Sequence, residues 1–347
     1  MVSKPLPAAD LDHILDHTLP LWQVLAGSHL FITGGTGFFG KWLLETLVAA
    51  NDRLAANVSA TVLSRNPQAF LANMPHLAHR PEFQWQQGDV RDFAFPSQAH
   101  DYVLHLATAA SAQLNETAPL TMLDTIVQGT RHTLAYARHC GAKRMLLTSS
   151  GAVYGRQPEH LSHIPEHYLG GPDPLVPASA YAEGKRMAEL LCTLTPEVPT
   201  IIARCFAFIG PHLPLDAHFA AGNFLRDALQ GGPIQVQGDG TAERSYLYAA
   251  DLVIWLLTLL LHGQEGQAYN VGSEDTINTG QLATKIAAAA VLKDPQVRIH
   301  YPPSPGPVHR YVPATYQCRK TLGLQSWIDL DEAIKRSLHW LDAIPHA

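Results

Sequence analysis

Short runs of Val, Ile and Leu alternate along the chain with longer segments in which apolar residues recur at helical spacing. This alternation is typical of a parallel sheet with helices on both faces, so we expect an α/β fold built on a doubly wound parallel sheet. The apolar runs predict strands at His29–Thr33, Ala60–Ser64, Phe83–Gln86, Tyr102–Ala107, Arg144–Ser149, Thr200–Phe206 and Ala268–Val271. The helical spacing predicts helices at Gly37–Ala50, Leu120–His139, Tyr181–Leu194, Ala249–Leu261, Gly280–Ala290 and Asp331–Leu341.

Two changes in this pattern predict how the chain is divided. The sequence of residues 1–27 indicates a helical extension ahead of the first strand. After residue 206, Pro and Gly interrupt the alternation of strands and helices. We therefore expect a first unit at 28–206, to which 241–272 return. A smaller C-terminal α/β lobe would consist of 207–240 and 273–347. Ligands of open α/β sheets bind outside the carboxyl ends of the strands, so the chemistry is expected in the groove between the two units.

The composition narrows the class of protein. The 347 residues are 46% hydrophobic and 16% charged, which is typical of a globular protein, and the net charge of −6 offers no basic surface for nucleic acid. The most apolar stretch, Leu252–Leu261, is about half as long as a membrane span, and the N-terminus has no apolar signal core, so a soluble cytoplasmic protein is expected. Four cysteines lie far apart and are expected to be reduced and buried: Cys140, Cys192, Cys205 and Cys318.

A glycine-rich turn, TGGTGFFG, joins the first predicted strand to the helix that follows. Glycines at 34, 37 and 40 permit a tight turn, a close approach of the backbone to a pyrophosphate, and close packing of helix on strand. The alternative is a purely structural turn, but a strand before it and a helix after it favour a dinucleotide site. The residues predicted to bind are Gly34, Thr36, Gly37, Phe38, Phe39 and Gly40.

Other strand ends complete the predicted dinucleotide site. The second strand ends in Ser64 and Arg65 instead of an acidic residue, which favours NADP over NAD, unless Arg65 is merely a solvated side chain. After the third strand, Asp89 and Val90 are placed to meet the adenine. The fourth strand ends near the pyrophosphate and ribose with Leu106, Ala107 and Thr108.

A candidate catalytic group follows the fifth strand. Ser150 ends that strand, and Tyr181 and Lys185 lie four residues apart in a predicted helix, so they share one face. A nearby ammonium and a positive nicotinamide ring would both favour the phenolate of Tyr181. Tyr181 could then take a proton from a sugar hydroxyl as hydride leaves the same carbon, while Ser150 holds the oxygen.

Taken together, these residues resemble the extended short-chain dehydrogenase/reductase superfamily, in its nucleotide-sugar epimerase/dehydratase branch. Segments 204–211 (RCFAFIGP), 238–251 and 269–272 (YNVG) are similar to further motifs of that family. The resemblance implies a Rossmann-type sheet, NAD or NADP as the cofactor, and a nucleoside-diphosphate sugar as the substrate.

The resemblance also assigns roles to single residues. It makes Ser150, Tyr181 and Lys185 a catalytic triad. It places Asn223, Arg244 and Arg310 at the substrate diphosphate. Each of these last three residues has a simpler alternative, namely a helix cap, an ion-pair partner and a solvated loop residue, respectively.

The reaction is inferred from a departure from the family pattern. In the 4,6-dehydratases of the family an Asp-Glu pair follows the small hydroxyl residue, and UDP-glucuronate decarboxylases carry a Glu in the same segment. Here Gly151 and Ala152 stand there, and neither can move a proton. We therefore expect a 4-epimerase that works through a 4-keto intermediate.

Several alternatives stay open. On the same scaffold the alternatives are a 4-ketosugar reductase, a dehydratase and a decarboxylase. A reductase would agree with an Arg65 that binds the 2′-phosphate of NADP. From another class, the alternative is a dinucleotide-sensing or RNA-associated protein.

Two further expectations concern metals and assembly. By resemblance, the helices at Leu120–His139 and Tyr181–Leu194 would pair with their copies in a homodimer, the alternative being ordinary packing on the sheet. A cluster of His160, His163 and His167 with Glu159 and Glu166 has spacing compatible with a metal site. Prolines interrupt the segment, and the family uses no metal, so we expect a loop beside the substrate and no metal.

Overall fold

The computed structural model describes residues 3–108, 112–217, 219–290, 297–303 and 305–342. Within these ranges the strands are β1 (His29–Thr33), β2 (Ser59–Ser64), β3 (Phe83–Gln87), β4 (Tyr102–His105), β5 (Arg144–Ser150), β6 (Thr200–Cys205), β7 (Phe208–Ile209), β8 (Ile234–Val236), β9 (Glu243–Arg244), β10 (Leu247–Tyr248), β11 (Ala268–Val271), β12 (Ile277–Asn278), β13 (Val297–Ile299) and β14 (Arg310–Tyr311). The helices are α1 (Ala8–Leu25), α2 (Phe38–Leu54), α3 (Pro67–Asn73), α4 (Ala112–Thr117), α5 (Pro119–Cys140), α6 (Ala180–Thr193), α7 (Ala220–Leu229), α8 (Ala249–His262), α9 (Thr279–Ala289), α10 (Tyr316–Leu322) and α11 (Leu330–Asp342).

The central sheet is parallel, with the strand order β11-β6-β5-β4-β1-β2-β3. The strand β1 lies between β2 and β4, so the chain changes direction across the sheet at β1. Thr33 at the end of β1 pairs with Leu63 on one side and with His105 on the other. The crevice at this switch point, beyond the carboxyl ends of β1 and β4, is where such sheets bind ligands. The structure therefore confirms the α/β, Rossmann-type fold class.

Apolar residues cover both faces of the sheet. Along β1, Leu30 and Ile32 point to the side that carries α2 and α8, whereas Phe31 points to the side that carries α5 and α6. This alternation follows from the two-residue period of a strand, and burial on both faces explains why the strands read as continuous apolar runs.

The helix α8 is buried on almost every side because α1 covers the face that the sheet leaves open. The buried carboxylate of Asp10 on α1 accepts hydrogen bonds from Tyr248 Oη at 2.6 Å and from Arg336 Nη1 at 2.7 Å. A second contact joins His13 Nε2 to Asp251 Oδ1 at 2.8 Å. The segment predicted as a helical extension is thus helical and packs against the helices beside the sheet.

Most predicted element bounds agree with the structure to within one residue. Two elements differ more. The fourth strand ends at His105 and not at Ala107, because the amides of Leu106 and Ala107 turn to bond Thr33. The helix α2 runs from Phe38 to Leu54 and not from Gly37 to Ala50. It starts later because Gly37 is its extended N-cap, and it ends later, at the left-handed Ala55.

The small elements α3, α4, α7 and α10 and the two- and three-residue strands were not predicted. One of these strands matters for the site. In the sheet β12-β9-β14, β14 pairs with β9 in parallel, which sets Tyr311 beside Arg244. The division into a 28–206 unit and a smaller lobe stays a prediction.

The cysteines carry free thiols, and Cys192, Cys205 and Cys318 are buried as expected. The expectation of burial is wrong for Cys140, which is partly exposed at the end of α5. Among the described residues, no helix combines the length and the apolar character that a membrane crossing would need.

Candidate functional site

The glycine turn packs directly against the end of β4. Gly34 has φ of 71°, and a Cβ at this position would lie 2.6 Å from the backbone nitrogen of Ala107. At the start of α2, a Cβ on Gly40 would lie 2.3 Å from the carbonyl carbon of Gly35. Both positions therefore require glycine, one for its conformation and its space and the other for its space alone.

The first turn of α2 presents backbone N–H groups to the crevice. Gly37, the N-cap, provides no side-chain hydrogen bond, so the amides of the first turn have no capping partner. Phe38 and Phe39 pack their rings against the apolar core. A helix N-terminus of this kind suits a pyrophosphate, so these residues fit the dinucleotide that the turn predicts.

Two arginines stand at the far end of this crevice. Arg65 follows β2 and is exposed, and it forms no salt bridge within the described part of the chain. Asp89, expected to meet the adenine, is already engaged: Arg91 Nε lies 2.8 Å from its Oδ1 and Arg91 Nη2 lies 3.1 Å from its Oδ2. These hydrogen bonds hold the pKa of Asp89 below its usual range. Sequence reasoning missed Arg91, although it stands only two residues from Asp89.

Ser150, Tyr181 and Lys185 come together at the carboxyl end of β5. Lys185 is buried on α6, where its Nζ donates to the carbonyl of Thr148 at 2.7 Å and to Thr108 Oγ1 at 2.5 Å. Burial lowers the pKa of Lys185 to about 8. The hydrogen bond to Thr108 ties α6 to the loop after β4, which is part of the predicted cofactor site.

Two opposing effects act on the phenol of Tyr181. Its hydroxyl contacts Ser150, and that hydrogen bond lowers the pKa of Tyr181, but the larger effect of burial raises the pKa above its usual value. The hydrogen bonds of Lys185 go to Thr108 and Thr148. Burial therefore opposes the phenolate of Tyr181 in the protein alone, and the positive charge of a bound pyridinium would act against this effect.

A further tyrosine contacts the serine. Ser150 Oγ accepts a hydrogen bond from the amide of Ala152 at 3.1 Å and lies 3.4 Å from the hydroxyl of Tyr311. Tyr311 was not predicted, because it is 161 residues away in sequence and reaches the site through tertiary pairing, which includes that of β14 with β9.

Position 151 faces an aromatic ring. A Cβ on Gly151 would lie 2.6 Å from the ring of Phe206, which in turn stacks on Tyr311 with ring centroids 4.6 Å apart. An aromatic surface thus occupies the place next to Ser150, and the residues 151 and 152 bring no proton-moving group.

The predicted diphosphate ligands have different surroundings. Arg244 donates to the carbonyls of Glu243 at 2.8 Å and His309 at 2.9 Å, and no carboxylate pairs with it within the described ranges. Burial lowers its pKa. Arg310, by contrast, is in an ion pair with Glu243 at 2.5 Å. Arg244 is therefore the better anion ligand.

Asn223 is the third predicted diphosphate ligand, and further basic groups surround Arg244. Asn223 lies within α7, where its Oδ1 accepts from Arg226 at 3.2 Å, so it does not cap the helix. Sequence reasoning missed His309, whose carbonyl accepts from Arg244, and Arg156, whose charge acts on His309. Burial and then the charges of Arg244 and Arg156 lower the pKa of His309. This corner is positively charged and suits an anion.

An ion pair beneath the site holds the ends of β5 and β6 in place. Arg204 Nη2 lies 2.7 Å from Glu189 Oε2, and the same guanidinium donates to Tyr154 Oη at 2.8 Å. Glu189 also accepts a hydrogen bond from Ser149, the neighbour of Ser150, at 2.5 Å. Because Glu189 lies one turn after Lys185 on α6, this pair connects the serine strand to the tyrosine helix.

The histidine segment has no metal-like arrangement. His163 Nε2 contacts the carbonyl of Glu274 at 2.9 Å, and Glu166 accepts from the amide of Asn270 at 3.1 Å. Among the described residues, no three His, Cys, Asp or Glu side chains are grouped so that they could hold a metal ion.

Residues 30–272 match the NAD dependent epimerase/dehydratase family. The chain belongs to this family. It is 32% identical over 314 residues to UDP-glucuronic acid decarboxylase 1 of Arabidopsis thaliana, a match that covers 88% of this chain and 68% of that protein. The nucleotide-sugar resemblance is thereby confirmed, and the chain is an enzyme of an NAD-dependent family.

Solved structures of the family share this fold. UDP-glucose 4-epimerase of Thermotoga maritima, solved with UDP-glucose, superposes with a TM-score of 0.76 at 20% identity and covers 90% of this chain and 98% of that one. The dTDP-glucose 4,6-dehydratase DesIV of Streptomyces venezuelae, solved with NAD, gives a TM-score of 0.77 at 22% identity over 90% and 97% of the two chains. Epimerases and dehydratases thus share this architecture, so the reaction has to be inferred from the site.

Proposed function

We propose that this NAD-dependent epimerase/dehydratase family enzyme acts at C4 of a nucleoside-diphosphate sugar, as a 4-epimerase. One observation carries the proposal: Ser150, Tyr181 and Lys185 meet at the end of β5, while Gly151 and Ala152 beside them offer no acid or base. Such a site supports oxidation and reduction at one carbon. It does not support the additional proton transfers that dehydration needs.

The cofactor would lie across the carboxyl ends of β1, β2 and β4. The turn at Gly34 and the first amides of α2 would hold its pyrophosphate, and Arg65 would meet its adenosine ribose. When bound, the nicotinamide supplies the acceptor and the donor of hydride.

The protein's own part in the reaction is to hold and move a proton. Ser150 would hold the 4-oxygen of the sugar by a hydrogen bond, and Tyr181 would take the proton from that oxygen as C4 is oxidised. Lys185, fixed by Thr108 and Thr148, would supply positive charge near both groups. The proton returns from Tyr181 once the 4-keto sugar has turned its other face to the cofactor.

The substrate diphosphate would bind at the positive corner. Arg244 has no carboxylate partner among the described residues, and two backbone carbonyls hold its guanidinium in place. Asn223 is a weaker candidate for the same role. Arg310 would take part only after release from Glu243, so we expect it to contribute least. The groove between the 28–206 unit and the 207–240 and 273–347 lobe would then enclose the sugar.

One observation favours a second candidate, a 4-ketosugar reductase. Arg65, exposed and without a salt bridge in the described residues, suits the 2′-phosphate of NADP. A reductase consumes and exchanges NADPH, whereas an epimerase recycles the cofactor that it holds. Relatives named UDP-glucuronic acid decarboxylase make loss of CO₂ the third outcome to test.

Product analysis separates these reactions. The purified enzyme is incubated with NAD or NADP and a panel of UDP-, dTDP-, CDP- and GDP-sugars that includes UDP-glucuronate, and the products are followed by NMR. The proposal predicts a C4 epimer without net change in reduced cofactor. Release of CO₂, formation of a 4-keto-6-deoxy sugar, or consumption of NADPH in proportion to product would each contradict it.

Arg65 gives a prediction on cofactor choice. Replacing Arg65 by Ala is expected to weaken NADP binding by about 10-fold or more while leaving NAD binding nearly unchanged, because a charged hydrogen bond to a phosphate contributes about 1.5–3 kcal/mol. The dissociation constants are measured by calorimetry, and Arg53→Ala, which removes a partly exposed arginine of α2, is the control. An unchanged ratio of the two constants would show that Arg65 does not read the phosphate.

We also propose that the enzyme is a homodimer through α5 and α6. Met187 and Leu190 on α6 and Leu194 just after it form an exposed apolar row, and Leu120 at the start of α5 is 75% exposed. Replacing Leu190 and Leu194 together by Glu is expected to yield monomers in sedimentation experiments. Leu19→Glu on α1, also an exposed leucine, should leave the assembly unchanged. A wild-type monomer, or a double variant that stays dimeric, would contradict the interface.

A further inference from the structure

Ser150 lies between two phenols. The hydroxyl of Tyr311 on β14 is 3.4 Å from Ser150 Oγ and 3.4 Å from the carbonyl oxygen of Cys205. Tyr181 contacts the same serine from α6. The proposed mechanism uses Tyr181 and leaves Tyr311 without a role.

The ring of Tyr311 is held from two sides. Phe206 stacks on it with centroids 4.6 Å apart and an angle of 35° between the planes. The guanidinium carbon of Arg244 lies 5.8 Å from the ring centroid, and the pairing of β14 with β9 sets the two residues side by side. The ring therefore cannot leave Ser150 without losing these contacts.

The hydroxyl of Tyr311, by contrast, is poorly satisfied. Hydrogen bonds between two oxygens are usually about 2.7–2.8 Å long, so both of its contacts are weak. Its single proton can be donated to only one acceptor at a time. Hydrogen bonds are stronger when the acceptor is negatively charged or polarised by a charged neighbour. Deprotonation of Tyr181 would polarise the Ser150 hydroxyl and so strengthen the hydrogen bond that Tyr311 donates to it.

Building on the proposed function, we propose that Tyr311 is a positioning residue: it donates to Ser150, so that the single proton of Ser150 is directed to the Tyr181 phenolate before the sugar binds and to the 4-oxygen of the sugar afterwards. In this row, Tyr181 alone exchanges a proton with the sugar hydroxyl, and Ser150 and Tyr311 keep theirs. The titratable and charged groups around Tyr311 are Tyr181 on α6, the Cys205 thiol on β6 and Arg244 on β9, with Lys185 facing Cys205. Burial raises the pKa of Tyr311, so it stays a neutral donor while Tyr181 titrates.

The test is a titration of Tyr181 in the full-length enzyme with NAD bound. The ultraviolet difference absorbance of the phenolate is recorded against pH, and the Tyr181→Phe variant identifies the signal. Tyr311→Phe is expected to raise the apparent pKa of Tyr181 by about half a unit to one unit, which corresponds to one hydrogen bond to the charged form. At neutral pH kcat should fall about 3- to 10-fold by the same argument, with KM nearly unchanged.

A control and a double variant complete the test. Tyr269→Phe removes another buried hydroxyl, one that accepts from the amide of Gln264 away from Ser150, and should leave both the pKa and kcat unchanged. In a Ser150→Ala background, Tyr311→Phe should add no further shift, because the connection runs through the serine. Equal pKa values in wild type and Tyr311→Phe, or a shift that persists without Ser150, would overturn the inference. If the wild type turns over no nucleotide sugar, the proposed function fails, but the titration still decides the role of Tyr311.

Discussion

Replacing Tyr181 by Phe is expected to lower kcat by about 10³-fold, because positioned acid/base groups contribute about 10²–10⁴ to rate. The ring is retained, so the packing of α6 against β5 and the contacts of Lys185 with Thr108 and Thr148 should persist. Binding of NAD, measured by calorimetry, should change little. The loss therefore belongs to the proton transfer and not to the fold or to the cofactor site.

Tyr316→Phe is the matched control, since this tyrosine lies exposed on α10 and its hydroxyl has no place in the proposed chemistry. It should keep full activity. A Tyr181→Phe enzyme with near wild-type turnover would remove the phenol from the mechanism. A variant that has also lost NAD binding would mean that Tyr181 is needed mainly to build the cofactor site.

Replacing Gly34 by Ala is expected to destabilise the protein by about 2–5 kcal/mol. A left-handed conformation costs an L-residue about 1–2 kcal/mol, and overpacking adds about 1–3 kcal/mol. The new methyl group would lie 2.6 Å from the backbone of Ala107, which cannot move away as a side chain can. The turn must shift, and we expect NAD affinity to fall by more than about 100-fold as the pyrophosphate cradle is distorted.

The chain offers a control for the conformational part of this effect. Gly27, between α1 and β1, has nearly the same φ, 70° against 71°, but a Cβ there would have nothing within 4 Å. Gly27→Ala should therefore lose only about 1–2 kcal/mol in thermal or denaturant unfolding and should bind NAD normally. Equal losses in the two variants would contradict the claim that close approach to Ala107 requires glycine at position 34.

The sequence predicted the sheet well because the strands are buried on both faces. Burial on both faces makes Leu30–Ile32 of β1 and Ile201–Ala203 of β6 continuous apolar runs, and short runs of this kind favour strands. The glycine turn was also predictable, since its spacing reflects local backbone geometry. The hydrophobic pattern could not show where a tertiary hydrogen bond ends a strand. The strand β4 is an example, because the amides of Leu106 and Ala107 bond to Thr33 beyond its last residue.

The candidate site was predicted where its residues follow strands or share a helix, as Ser150, Tyr181 and Lys185 do. It was missed where a two-residue strand brings distant residues together, because such a strand has no periodicity. Tyr311 and His309 reach the site in this way. The interpretation of Arg310 as a diphosphate ligand lost support for a related reason, because its partner Glu243 is 67 residues away in sequence.

Deuterium at C4 of the substrate tests the central claim most directly. The enzyme is incubated in ordinary water with the nucleotide sugar that the panel identifies, labelled at C4, and the product is examined by NMR. The account predicts that the C4 epimer keeps the deuterium at C4, because the carbon is oxidised and reduced on one enzyme without exchange with solvent. An epimer that has lost the label to solvent, or a product in which C4 is not inverted, would contradict it.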